Sequence, residues 1–313
     1  LLTDAESLEE AGERELAEAT ARQVNSTLPG WPFIQRRVGF IFFRNQHWAQ
    51  GVPYVCRSLR GDPTHVAALT ELGIAYNLHF QHDLSLPLFE RALAKEPESE
   101  YVQRNFAAAE VLAGDFERAQ SLAEAAYASK KTEIAWGALV HSLALQSEWL
   151  HLEEVLSATR ADMILPAGAM SQADLEYWMA VSKAGQGLFG SVRTGRPEDW
   201  QQVLSDAAAY AYAGANFTLI ADIVTFFRRT GSEPTRLLSA AGAAAYLAGG
   251  DARLRDVHAD AADSSLVQSI LEQPTKILGA TIGGNDVADG EAPLASCSDV
   301  QSSDEPFSVP SPR

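Results

Sequence analysis

The sequence predicts an all-α chain of stacked antiparallel helix hairpins, an α-solenoid, and three observations carry that expectation. Pro29, Pro63 and Pro97 stand thirty-four residues apart, each after a stretch of helical character. Between them the same residue types return at the same offset with no gap over about one hundred residues: Val38, Leu72 and Phe106; Gly39, Gly73 and Ala107; Phe42 and Tyr76; Val55, Phe89 and Ala123; Ser58, Ala92 and Ala126. The apolar segments from residue 5 to 273 follow the 3.6-residue period and β-branched runs are absent, so helix is expected throughout and sheet nowhere.

The period fixes the elements in order. Gly12, Ala17, Ala21, Val24 and Pro29 fit the second half of a unit, which makes residues 1–31 an incomplete N-terminal repeat. Regular repeats are expected over 32–166. In residues 66–99, Leu69, Leu72, Gly73 and Tyr76 lie on one helix face and residues 79–83 interrupt it. Leu84, Leu88, Phe89, Ala92 and Leu93 then begin a second helix, which Pro97 stops because proline cannot continue it. Gly73 and Ala92 are small enough for the two helices to approach, and Tyr76 and Phe89 fill the space left over. Residues 100–132 carry the turn AGDFERA, with Glu110 where an aromatic is expected, and the next unit brings Trp136, Leu139, Leu143 and Trp149. Tyr210 lies 67 residues after Leu143, about two periods on, so residues 167–199 are expected to be an irregular linking unit. Tyr210 with Gly214 and Tyr246 with Gly250 mark degenerate repeats over 200–278. From Gly279 to Arg313 the composition turns to Gly, Ser, Pro and Asp without an apolar face, which reads as a disordered acidic tail dispensable for folding.

This pattern resembles the tetratricopeptide repeat family, whose 34-residue unit reads W-x2-L-G-x2-Y, then A-x3-F, then P. Residues 66–99 supply Leu72-Gly73, Tyr76, Phe89, Ala92 and Pro97, with Leu69 for the leading Trp and Ser85 at one small-residue position. The resemblance implies a right-handed superhelix acting as a scaffold or adaptor that binds a protein or peptide in a concave groove lined by first helices. The groove residues are then Arg36, Phe40, Arg44, Thr70, Ile74, Asn77, Arg104, Asn105 and His141, one turn from the buried faces. Residues 32–132 hold eleven acids and eleven bases in a chain of net charge -17, so a basic stripe there would receive the acidic side chains of an extended peptide. Arg36 and Arg104 are the expected cationic partners, with Phe40 and Ile74 against apolar side chains. Phe40 and Ile74 also stand where the family's chaperone-tail binders need asparagine, which argues against a terminal-carboxylate ligand. Failing that groove, the irregular segment 167–199 is the next place to look.

Composition excludes several other classes. Hydrophobic residues make up 46% and mean hydropathy is -0.10, enough for a sizeable core. A pI near 4.8 repels a phosphate backbone, so no nucleic-acid partner is expected. Residues 207–227 are apolar and nearly long enough to span a bilayer, but Asn216 and Asp222 sit inside them, so no membrane insertion is expected. The acidic opening LLTDAESLEEAGERELAEAT is no signal peptide, and a start at Leu1 reads as a fragment or processed chain. Compartment is left open, with the cytoplasm slightly ahead. Cys56 and Cys297 lie far apart without CxxC or His spacing, so neither a disulfide framework nor a zinc site is expected. Cys297 then reads as a reactive thiol in the tail and Cys56 as a slow one on an inner helix.

Three further patterns lack the context their chemistry needs. Gly185-x-Gly187-x-x-Gly190 has the spacing of a dinucleotide fingerprint, but a helix rather than a strand precedes it, so it reads as a turn between repeat helices. His79-x-x-His82-Asp83 falls on a turn, where polar residues are expected without a metal. Acid pairs such as Glu9-Glu10, Glu153-Glu154 and Glu198-Asp199 are sequence neighbours whose side chains point about 100° apart on a helix, so they cannot face one substrate as acid and base. No catalytic residue, metal or cofactor is expected. A binding scaffold comes first, ahead of a recruiting module of a larger glycosyltransferase-like or sulfotransferase-like enzyme and of a free-standing enzyme.

Overall fold

A computed structural model describes residues 1–161, 172–195, 200–260, 264–272, 274 and 293–301. No β-strand occurs among them, and the helices pair in chain order as antiparallel hairpins. These are α1 (Leu2–Glu10) with α2 (Arg14–Thr27), α3 (Pro32–Arg44) with α4 (Trp48–Gly61), α5 (Val66–Leu78) with α6 (His82–Lys95), and α7 (Glu100–Ala113) with α8 (Phe116–Ser129). Next come α9 (Glu133–Leu145) with α10 (Trp149–Ala161), α11 (Gln172–Gly185) with α12 (Phe189–Gly195), and α13 (Trp200–Ala213) with α14 (Phe217–Thr230). In the last hairpin α15 (Arg236–Leu247) faces a short 3₁₀ turn, Ala252–Leu254, and α16 (Arg255–Asp260); α17 (Ser264–Glu272) and α18 (Cys297–Gln301) follow. The second helices α2, α4, α6 and α8 begin at residues 14, 48, 82 and 116, which is the thirty-four-residue period of the sequence in space.

The hairpins share one turn chemistry. Each places one residue in the left-handed region: Gly12, Gln46, Phe80, Gly114, Ser147, Gly187, Ala215 and Gly249. The N–H of the residue after it bonds back to the carbonyl five positions earlier, as from His47 to Phe42 and from Gln81 to Tyr76, so carbonyls left open at the helix end are satisfied. Glycine is comfortable at such a site, yet Gln46, Phe80, Ser147 and Ala215 hold it as well. Packing of both flanking helices overrides the local cost.

The chain divides into two compact units, residues 1–105 with 287–313 and residues 106–286. In the first, Val38, Ile41 and Phe42 form one buried cluster with Ala17 and Ala21, while Val55, Leu69, Leu72 and Tyr76 belong to a second. In the other unit, one core runs from Ala107 through Trp136, Leu143, Leu175 and Tyr210 to Ile270. The repeating positions of the sequence, from Val38, Leu72 and Phe106 to Ser58, Ala92 and Ala126, are all buried. Glu110, in place of an aromatic, is also buried; Arg118 pairs with it at 3.1 Å and lies over the Phe106 ring, so an ion pair substitutes for the missing ring.

Residues 1–31 form a whole hairpin, although α1 is only nine residues long. Within 167–199 the described residues form the hairpin of α11 and the seven-residue α12; its turn residue Gly187 lies 40 positions after Ser147 and 28 before Ala215, two normal periods in sum. The Gly185–Gly190 string is that turn, with α11 ahead of it and Trp149 packed against Gly185. No helix among the described residues is long and apolar enough to cross a membrane.

Gly73 tests this register. A Cβ there would stand 2.9 Å from the Phe89 ring across the α5–α6 contact. Gly73→Leu is expected to cost about 1–3 kcal/mol through overpacking. Thermal unfolding followed by circular dichroism checks it, and an unchanged midpoint would contradict the close approach.

Candidate functional site

The expected groove residues do not form an open basic stripe. On α3, Arg36 donates to both carboxylate oxygens of Glu71 on α5, at 2.9 and 2.5 Å. Burial raises the Glu71 carboxyl above its ordinary value even with Arg36 against it. Arg37 pairs with Glu6, and Arg44 with Glu9 at 2.9 Å, so α3 is tied to α1 as well. Arg104 donates to Glu100 one turn back and lies over the Tyr101 ring. Arg36, Arg44 and Arg104 therefore meet glutamates of the chain's own helices, so Arg36 and Arg104, the expected partners of a ligand's acids, are already paired within the chain.

Thr70 and His141 lie in the interior. Thr70 is fully buried and donates to Val66 O in its own helix, because hydroxyls satisfy themselves on the preceding turn. His141 is buried in the second unit between Trp178 and Tyr210. Asn77 and Asn105 are also buried, Asn105 donating to Tyr101 O at 2.6 Å. Phe40 and Ile74 are half-buried. In the 167–199 region a cavity of about 540 Å³ opens beside Tyr177, Met179, Lys183, Val192 and Trp200. Among the described residues no three His, Cys, Asp or Glu side chains come together as a metal site; His79 bonds Ala75 O, and burial lowers the His82 pKa.

The geometry instead assembles a site around α4, α5 and the turn after α5. There the chain holds an extended segment of its own, residues 293–296, against the first unit. The Gln81 side chain donates to Leu294 O at 2.9 Å and accepts from Leu294 N–H at 2.8 Å, pairing with both main-chain groups of one residue. The Tyr76 hydroxyl donates to Ala295 O at 2.9 Å. Burial, reinforced by the Asp299 carboxylate, pushes the Tyr76 phenol up to about 12, so it stays a donor at any physiological pH. Leu294 is 5% exposed and joins the core cluster of Val55, Cys56, Leu72 and Tyr76, while Pro293 and Ala295 on either side are exposed.

A covalent bond closes the site. Cys56 on α4 and Cys297 are joined as a disulfide across 241 positions, which corrects the expectation of a free, reactive Cys297. α18 begins at Cys297 through a capping box: Ser296 Oγ accepts from Asp299 N–H and Asp299 Oδ2 accepts from Ser296 N–H. Burying one leucine contributes about 2 kcal/mol and each hydrogen bond about 1, whereas each ordered residue costs about 1–2 kcal/mol of backbone entropy. Noncovalent contacts alone leave such a segment near balance, and attachment to α4 tips it. Residues 293–301 are thus part of the first unit; the remainder of 279–313 lies outside the described residues.

No family model matches this sequence, and no curated protein matches it. Solved structures are similar to it at low identity. A tetratricopeptide repeat protein from Parabacteroides merdae is 16% identical over 78% of this chain and 98% of its own, with a TM-score of 0.48. Pseudomonas aeruginosa pilF is 13% identical over 73% of this chain and 97% of its own, at 0.44. The Naa15/Naa10 structure bound to HypK-THB is 14% identical over 88% of this chain and 46% of its own, with a TM-score of 0.40. The chain is an all-α array of tetratricopeptide-like hairpins. Its own thirty-four-residue period, its shared turns and its buried repeat positions carry that fold. What the tetratricopeptide-like period did not disclose is the tail's part in the site. Leu294, Ser296-x-x-Asp299 and Cys297 were its available signals: a lone large hydrophobe, a capping box, and the second of two cysteines.

Proposed function

We propose that this chain is a protein-interaction scaffold whose first unit holds extended peptide segments at Tyr76 and Gln81. The observation that supports this reading is the chain's own segment held there: two side chains bond only main-chain atoms while one apolar side chain is buried. Main-chain bonding gives affinity to any extended segment, and the buried position selects its side chain. Such a mode asks for no acid on the ligand, in keeping with arginines already paired inside the unit.

A library test reads this directly. The full chain carrying Leu294→Asp and Cys297→Ser, which weakens the internal segment, is used to pan phage-displayed nine-residue peptides. Enriched peptides are expected to carry leucine or a similar apolar residue beside a small one, and to be lost when Gln81→Ala is added. Absence of enrichment, or enrichment indifferent to Gln81, would reject the site.

A further inference from the structure

We infer that the Cys56–Cys297 disulfide is a redox latch on this site: closed, it keeps the chain's own segment in place, and opened by a dithiol, it lets a partner's leucine-bearing extended segment replace it. This rests on the reading of Tyr76 and Gln81 as a peptide site. Three observations bring the pieces together. The disulfide lies one residue beyond the segment it would control, so Leu294, Ala295 and Cys297 are held within a single short stretch. One anchor is buried, Cys56 being 1% exposed in α4, and the other is the partly exposed Cys297 at the start of α18. The polar contacts of Gln81 and Tyr76 reach main-chain atoms only, so nothing in them distinguishes this segment from another of the same shape.

The kind of partner follows from the vacated contacts. Leu294 is buried in the apolar cluster that also holds Val55, Leu72 and Tyr76, its neighbours on both sides are exposed, and Ala295 presents its carbonyl to Tyr76. A replacement must be extended, carry leucine or a residue of its size, and place a small residue next so that the carbonyl can be reached. A charged side chain at the leucine position would be buried unpaired and excluded.

Opening is thiol–disulfide exchange. A thiolate of the dithiol attacks Cys297 Sγ, the more accessible sulfur; the bond to Cys56 breaks, and Cys56 leaves as a thiolate and takes a proton. The second thiol of the reductant attacks the mixed disulfide and releases Cys297. Two electrons pass from the dithiol, which becomes a cyclic disulfide, to the two cysteines. While the bond is closed, a partner in solution competes against a covalently held segment; once open, it competes against one leucine and three hydrogen bonds.

The probe is a fluorescein-labelled peptide with the sequence of residues 291–300 and serine at position 297, so that it cannot be captured covalently. Its anisotropy is followed on the full chain oxidised, on the same chain reduced with dithiothreitol, and on the chain carrying Leu294→Asp and Cys297→Ser, with circular dichroism confirming helicity in each. Affinity is expected to rise at least tenfold on reduction, to be greatest for the double variant, and in that variant to ignore the reductant. A probe with aspartate in place of its leucine is expected not to bind. Equal binding to oxidised and reduced chain, with tight binding to the double variant, would overturn the latch and leave the peptide site standing. Absence of binding to all three would overturn both.

Discussion

Reducing the Cys56–Cys297 disulfide is expected to lower the stability of the first unit by about 4 kcal/mol, or roughly 10 °C in Tm. The bond spans 241 positions, and a cross-link over so long a separation removes more freedom from the unfolded chain than a short one does. The folded state loses as well, because the segment that buries Leu294 and satisfies Gln81 and Tyr76 is freed to leave. Cys297→Ser should match the reduced wild type, whereas Leu294→Asp with the disulfide intact should cost less, since the tether remains. Differential scanning calorimetry with and without a phosphine reductant measures this. A midpoint unmoved by reduction would mean that the bond constrains nothing the unfolded chain would otherwise explore.

The frame of the fold was legible because it is written in many residues at once. Proline spacing, the small residues Gly39 and Gly73, and the recurring apolar positions all report one period; the prolines stand in exposed turns and the others fall in the core. Turn positions were harder: Gln46, Phe80 and Ala215 adopt a conformation their side chains do not advertise, because helix packing imposes it. The pairing of the arginines and the place of the tail segment are not legible in the sequence, for two distinct reasons. Counting charges over 32–132 says that arginines are balanced but not by what: Arg36 meets Glu71 and Arg104 meets Glu100 inside that stretch, while Arg44 meets Glu9 outside it. Averaging composition over 279–313 hid nine residues that differ from their surroundings, where a leucine, a capping box and a cysteine act together. The cysteine pair itself could not be inferred by spacing, since folding alone brings residues 56 and 297 to a Cα separation of 5.4 Å.

Acid is expected to destabilise the second unit through His141. Its ring is wholly buried against Trp178, and the Tyr210 hydroxyl, whose own pKa burial raises, hydrogen-bonds Nδ1 at 2.7 Å. Burial without a charged partner lowers the imidazole pKa to about 3 in the folded chain from 6.5. Because the folded pKa is the depressed one, the unfolded chain binds a proton below pH 6.5 that the folded chain refuses. Stability is therefore fully present above that pH and falls as pH drops towards 3, at about 1.4 kcal/mol per unit, on the order of 3 kcal/mol by pH 4. Asp206, whose carboxyl burial raises, works in the opposite direction, since the folded chain takes up its proton first. Wild type alone would confound the two, so the comparison is with His141→Gln, which can still hydrogen-bond Tyr210 but does not titrate. That variant is expected to be less stable at pH 7, from imperfect packing among α9, α11 and α13, and to lose less on acidification. Urea unfolding followed by circular dichroism at pH 7, 6, 5 and 4 gives both slopes. The wild-type slope should exceed that of the variant by about one proton per molecule, and parallel slopes would mean that His141 is protonated in the folded core.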